Sequence, residues 1–203
     1  MTLFTQYNKG ENNMTNITAG FALCGSFCTL KRAIAQLEIL KQSGMDIIPI
    51  MSPAVYNTDT RFGKAQDFIN QVEQICGNRI ISTIEKAEPI GPKKLLDIII
   101  VAPCTGNTLS KLALGITDTC VTMAVKAHLR NGRPALLSVA TNDALSACAK
   151  NIGLLYNTKN IYFTPLAQDD ANGKPTSLVC DFDKIPQAAA LALEGKQMQP
   201  MLL

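Results

Sequence analysis

Residues 95–118, LLDIIIVAPCTGNTLSKLALGITD, restrict the fold more than any other stretch of this chain. An apolar run stops at Pro103, a short loop of small and hydroxyl residues follows at 104–108, and an apolar pattern of helical spacing begins. The run has no polar alternation, so the strand it forms must be covered on both faces. The loop after it is a tight turn into a helix N-terminus. Such an end exposes free N–H groups and partial positive charge, which suit a phosphate, and small loop residues let a ligand approach the backbone.

The rest of the chain alternates between the two periodicities. Strands are predicted at 17–23, 46–51, 97–101, 135–139 and 160–163, with a short one at 79–83. Helices are predicted at 29–43, 58–77, 107–114, from 118 to 130, 143–155 and 184–193. This order predicts an α/β fold: a single-domain, flavodoxin-like or Rossmann-like, three-layer arrangement around a mostly parallel sheet. Residues 16–203 form that domain, and the polar, Asn-rich residues 1–15 form a flexible N-terminal arm. The segment 164–180, TPLAQDDANGKPTSLVC, has no periodicity of its own. It reads equally as a functional loop and as a surface excursion.

Composition excludes several classes. A chain of 203 residues with net charge +3 and no Trp has neither a basic run nor a stacking platform for nucleic acid. No apolar run approaches a membrane span and no signal-peptide core is present, so a cytoplasmic protein is expected. The seven cysteines include no CxxC pair, and His128 is the single histidine, which is poor material for a zinc site or a disulfide framework. The cysteines are expected to be reduced thiols, mostly small core residues, and His128 a surface or interface residue.

In an open parallel sheet, ligands bind beyond the carboxyl ends of the strands. Four predicted ends carry hydroxyl or amide groups: Cys24-Gly25-Ser26-Phe27-Cys28, Met51-Ser52-Pro53-Ala54, Pro103-Cys104-Thr105-Gly106-Asn107-Thr108 and Ala140-Thr141-Asn142-Asp143. Any one Ser or Thr here can simply cap a helix, but four convergent ends predict a pocket. Neither GxGxxG nor GxxxxGK[ST] occurs, so the usual dinucleotide and P-loop signatures are absent.

The segment APCTGNTLSKLALGITD resembles the flavin-binding signature of the homo-oligomeric flavin-containing cysteine decarboxylase superfamily, and CGSFC resembles that family's Gly-Ser loop. VATNDALSACAKNIGLLYNTKNIYF and PLAQDDANGKPTSLV are similar to one branch of it, the B subunits of dipicolinate synthase. The resemblance implies FMN. It implies Gly25, Ser26 and Phe27 at the phosphate or ribityl chain and Ser52 at the second strand end. Thr105, Gly106, Asn107 and Thr108, with Pro103 and Cys104 before them, would surround the phosphate, while Thr141 and Asn142 would face the isoalloxazine or the substrate. Cys104 reads as a packing residue beside that site, and Lys111, one turn into the helix, as a solvated side chain.

The departures from the superfamily matter as much. Its decarboxylases carry a His about eight residues before the acidic residue of the central strand, where this chain has Pro89. Their Pro-Ala-Met-Asn motif reads Val139-Ala140-Thr141-Asn142 here, which keeps the Asn, the one candidate catalytic residue. The branch implies a different reaction. In it, a dihydrodipicolinate-type or cyclised hydroxy-tetrahydrodipicolinate precursor is oxidised to pyridine-2,6-dicarboxylate during sporulation, in the cytoplasm of the mother cell. It also implies a dipicolinate synthase A subunit carrying NADP(H), a small dicarboxylate substrate and a homo-oligomer. Arg61, Lys64 and Lys174 are candidates to receive the substrate carboxylates. Asp169 and Asp170 would order the long loop or join a lid or an intersubunit contact. Two alternatives stay open: a non-catalytic flavin- or phosphate-binding partner subunit, and a divergent flavin-dependent decarboxylase.

Overall fold

The computed structural model describes residues 14–203. In chain order the elements are β1 (Thr18–Leu23), α1 (Leu30–Gln42), β2 (Asp46–Met51), α2 (Pro53–Asn57), α3 (Ala65–Cys76), α4 (Ile84–Ala87), β3 (Ile98–Cys104) and α5 (Gly106–Leu114). They continue with α6 (Cys120–Leu129), β4 (Ala135–Thr141), α7 (Ala149–Tyr156), β5 (Ile161–Phe163), β6 (Leu166–Ala167), β7 (Leu178–Cys180) and α8 (Ile185–Leu193). This is the predicted α/β architecture, one mostly parallel sheet flanked by helices.

The parallel part of the sheet runs β2-β1-β3-β4. The far edge of β4 is shared. Ala135–Leu137 pair in parallel with β5, while Ala140 and Thr141 pair antiparallel with Val179 and Leu178 of β7, and β7 pairs with β6. All seven residues of β3 are buried. The open edge of β5 is covered by a side chain: Phe163 N–H donates to Gln197 Oε1 at 2.8 Å, and Gln197 Nε2 donates to the Phe163 carbonyl at 2.7 Å. Helix α1 shows the amphipathic logic of the outer layers, burying Leu30, Ala33, Ile34, Leu37 and Leu40 at helical spacing.

Several elements differ from the sequence reading. Strand β3 does not end at Val101 but continues through Pro103 to Cys104. Its register against β4 slips between Val101 and Cys104, and a proline without an N–H is tolerated at such an irregularity. The helix predicted at 58–77 starts only at Ala65: residues 58–64 form a loop between α2 and α3. Asp59 Oδ1 accepts the Ala65 N–H at 2.8 Å and so starts α3 afresh, while Thr60 and Gly63 bond to each other's backbone. The strand predicted at 79–83 is reduced to one bridge, Ile81 beside Ile50. Residues 142–148 are consecutive turns rather than helix, because the Asp143 carbonyl accepts the N–H groups of both Ser146 and Cys148. The long loop at 164–180 has structure of its own, β6 and β7.

The predicted arm lies, as far as residue 13, outside the described residues. Met14 is buried, and its N–H donates to the Ser43 carbonyl at 2.9 Å. Six cysteines are buried free thiols and Cys28 is exposed. Among the described residues no helix is long and apolar enough to cross a membrane.

His128 is not at the surface. It is fully buried in the last turn of α6, with Nε2 2.9 Å from the Pro134 carbonyl and Nδ1 without a partner among the described residues. That geometry suits the neutral ring donating from Nε2. Burial pushes the imidazole pKa down from 6.5 to about 4. Because the unfolded chain takes up the proton first, His128 favours folding at neutral pH, and stability falls as pH drops from 6.5 towards 4. Between pH 7 and pH 4.5 the loss from this group is about 2 to 3 kcal/mol. Urea denaturation at the two pH values checks this, and His128→Gln, which keeps a donor for Pro134, should show a correspondingly smaller pH dependence.

Candidate functional site

Because β1 to β4 run parallel, their carboxyl ends share one edge of the sheet, and the four predicted loops meet there. The first two ends are joined by the backbone, since Ser52 N–H donates to the Leu23 carbonyl at 3.0 Å. Gly25, Ser26 and Phe27 are half-buried in the first loop. Thr29 Oγ1 donates to the Ser26 carbonyl and hydroxyl, both at 3.0 Å, which fixes the loop from below. Ser52 precedes α2 without capping it. Its Oγ is buried and has no hydrogen-bond partner among the described residues.

The third end is the turn into α5. Thr105 caps the helix: its Oγ1 accepts the Thr108 N–H at 3.3 Å and donates to Thr108 Oγ1 at 3.2 Å. Thr108 Oγ1 in turn donates to Cys24 Sγ at 3.3 Å and ties this turn to the first strand end. Asn107 is exposed and Thr105 half-buried, whereas Pro103, Cys104, Gly106 and Thr108 are buried. The first group can meet a ligand with side chains, and the second shapes the wall behind it.

The fourth end was the least legible in sequence. Thr141 Oγ1 donates to Asp143 Oδ1, and Cys148 Sγ donates to Asp143 Oδ2 at 3.2 Å. The Thr141 hydroxyl, foremost, holds the Asp143 carboxyl below the usual carboxylate range. Asn142 is exposed, and the long loop holds it. Thr176 Oγ1 donates to the Asn142 carbonyl at 2.6 Å, Ser177 Oγ donates to Asn142 Oδ1 at 3.5 Å, and Leu145 N–H donates to the Thr176 carbonyl at 2.9 Å. Sequence reasoning missed Asp143, Cys148, Thr176 and Ser177 as parts of this site. Asp143 stood in the quoted strand end, but its contacts are set by a turn that the helical pattern concealed.

The basic candidates lie outside this constellation or are engaged. Arg61 is exposed, its guanidinium 4.9 Å from the Phe62 ring centroid, and Lys64 is exposed at the start of α3. Lys174 pairs with Asp169 at 3.2 Å. Lys111 is tethered to Asp118 at 2.8 Å rather than simply solvated. Asp169 and Asp170 order the loop tip, the latter accepting the Gly173 N–H at 2.8 Å.

Neutral donors therefore dominate the site. Burial pushes the Cys24 thiol up to about 12 and the Cys104 thiol well above its ordinary value, so neither serves as a thiolate nucleophile at neutral pH. Hydroxyls, an amide and the first N–H groups of α5 suit an anionic or carbonyl-bearing ligand.

Gly106 joins the third and fourth ends. A Cβ there would lie 2.7 Å from Thr141 Oγ1 and 2.8 Å from Asp143 Oδ1. Gly106→Ala should therefore cost about 1 to 3 kcal/mol through overpacking, although alanine is the better helix former. Chemical denaturation measures it, and an unchanged midpoint would show that the two loops are not in contact.

The chain is similar to several known proteins along most of its length. The B subunit of dipicolinate synthase from Bacillus subtilis (strain 168) is 44% identical over 184 residues, covering 91% of this chain and 92% of that protein. The crystal structure of the corresponding B subunit from Bacillus halodurans C superposes with a TM-score of 0.87 at 43% identity, covering 94% of this chain and 98% of the other. The FMN-dependent cysteine decarboxylase SpaF shares the fold, with a TM-score of 0.62 at 20% identity over 88% of this chain and 98% of its own. The Flavoprotein family model matches residues 7–189, nearly the whole chain, and the protein belongs to that family.

Proposed function

We propose that this chain is the B subunit of a dipicolinate synthase. It binds FMN at the strand ends and acts with an A subunit to oxidise a dihydrodipicolinate-type precursor to pyridine-2,6-dicarboxylate. The observation that carries this reading is the similarity to dipicolinate synthase B subunits along nine-tenths of both chains. NADP(H) on the A subunit would be the electron acceptor. The setting would be the mother-cell cytoplasm of a sporulating bacterium, with a homo-oligomer of residues 16–203 as the flavoprotein unit and residues 1–15 as an arm.

The site fits a flavin mononucleotide. The buried, unpartnered Ser52 Oγ is a polar atom that a ligand oxygen would satisfy, and unsatisfied buried hydroxyls are otherwise costly. Gly25, Ser26, Phe27 and Ser52 would hold the phosphate and ribityl chain. Thr105 and Asn107, with the backbone of Gly106, would stand at the helix end, with Pro103, Cys104 and Thr108 as the wall behind them. Thr141 and Asn142 would face the ring or the substrate. Bound FMN supplies hydride transfer or stabilisation of a ring being aromatised. Asn142, its Oδ1 turned to Ser177, offers Nδ2–H as a donor to a substrate carboxylate or carbonyl.

One observation favours a second reading. The strand ends carry no imidazole, the Asp143 carboxylate is occupied by Thr141 and Cys148, and the thiols of Cys24 and Cys104 stay protonated. A protein so poor in free acid–base groups can bind flavin or phosphate while the A subunit does the chemistry. The divergent-decarboxylase reading is weaker, since Pro89 stands where that chemistry has its imidazole.

Two measurements test the reading. Ser52→Ala should weaken FMN binding about tenfold, read by quenching of flavin fluorescence, and should leave the denaturation midpoint nearly unchanged because the hydroxyl has no partner to lose among the described residues. Reconstitution of the A subunit with flavin-free and with FMN-loaded protein should give dipicolinate faster with FMN. Equal rates would remove flavin chemistry and leave the binding-partner reading.

A further inference from the structure

A groove of about 390 Å³ lies away from the strand ends, between the C-terminal half of α5 and the length of α6. Leu112, Val125, Leu129 and Ile161 give it apolar walls, and the exposed Lys126 and Arg130 stand beside them. Leu114 next to it is 70% exposed, and Ile116 in its wall is 42% exposed. Exposed apolar side chains grouped around a groove mark an interaction surface, whereas single ones are ordinary.

Charge and position narrow the occupant. Neither Lys126 nor Arg130 pairs with a carboxylate among the described residues, and Asp118, close by in the chain, is taken by Lys111. A second copy docking groove to groove would bring the same two cations from each copy into one interface, with no carboxylate in either groove lining to answer them. A partner with acidic residues around an apolar segment meets both features. The groove also leaves the candidate site free. Ile161 opens β5 and pairs with Ala135, the first residue of β4, so this wall lies at the opposite edge of the sheet from the strand ends. Helix α5 begins at the site and ends in the groove, a rigid link of roughly 13 Å.

We propose that this groove docks the partner subunit of the complex through an apolar segment flanked by acidic side chains. The proposal rests on the reading of this chain as one half of a two-subunit enzyme. The helix whose N-terminus shapes the ligand site would then carry the partner at its other end.

The test uses the purified full-length chain and the purified A subunit from the same organism, with affinity measured by calorimetry at low and at moderate salt. Lys126→Glu combined with Arg130→Glu should weaken association about 30-fold, and Leu114→Asn about tenfold, both with unchanged circular dichroism and unchanged FMN affinity. Wild-type affinity should fall as salt rises. If wild-type chain binds the A subunit and the variants bind equally well, the groove is not the docking site, and the proposed function stands. If wild-type chain does not bind the A subunit at all, the two-subunit reading itself fails, and the docking proposal with it. If the variants instead break a self-association seen by sedimentation while A-subunit binding persists, the occupant is a second copy and the proposal is overturned.

Discussion

The structure depends on the complete burial of β3. Its seven residues lie at the middle of the parallel sheet with no exposed surface, and an apolar strand of that kind is stable only between two layers of helices. The consequence reaches the functional edge directly. The strand delivers Pro103 and Cys104 into the interior and releases the chain at Thr105, where a hydroxyl starts α5 at the sheet's carboxyl edge. The register slip between Val101 and Cys104 lets a residue without an N–H sit in a central strand, so the turn chemistry begins only where the ladder has ended.

Two short linkages, with the backbone bond from Ser52 to Leu23, bring four separate loops together. Thr108 reaches Cys24 and ties the α5 turn to β1. Asp143, held by Thr141 and Cys148, packs over the absent side chain of Gly106 and ties the same turn to β4. The result is a surface of hydroxyl, amide and backbone donors with little free acid–base capacity. Its reactive-looking groups are already spent on structure, because burial keeps the thiols protonated and hydrogen bonds keep Asp143 ionised and occupied. Such a surface is suited to holding and orienting an anionic cofactor, which makes a partner that supplies further chemistry a natural complement.

The legible and illegible parts of the chain divide by the range of the interactions that set them. The strand at 46–51 and the helices α1, α5, α6 and α8 were readable within a few residues, because each buries a face that its own periodicity announces. The loop at 58–64 was not, because Asp59 restarts a helix inside a pattern that remains helical in hydrophobicity. His128 gave no sign of burial, since the neutral imidazole is sheltered by the carbonyl of Pro134, a residue outside its own helix. The loop at 164–180 hid β7, whose Leu178 and Val179 find their partners in β4 nearly forty positions earlier.

The sequence by itself determined the layered α/β architecture, the edge where the strands end and most of the hydroxyl and amide groups placed there, since these follow from local periodicity and from where each strand ends. Only the tertiary structure decided which of those groups stand open, that the long loop grips Asn142 through Thr176 and Ser177, that Asp143 braces the α5 turn, and that an apolar groove flanked by Lys126 and Arg130 remains on the far side. The physical reason is that exposure, pairing and the spending of a hydrogen bond are properties of neighbours distant in the chain, which a pattern of residue types does not record.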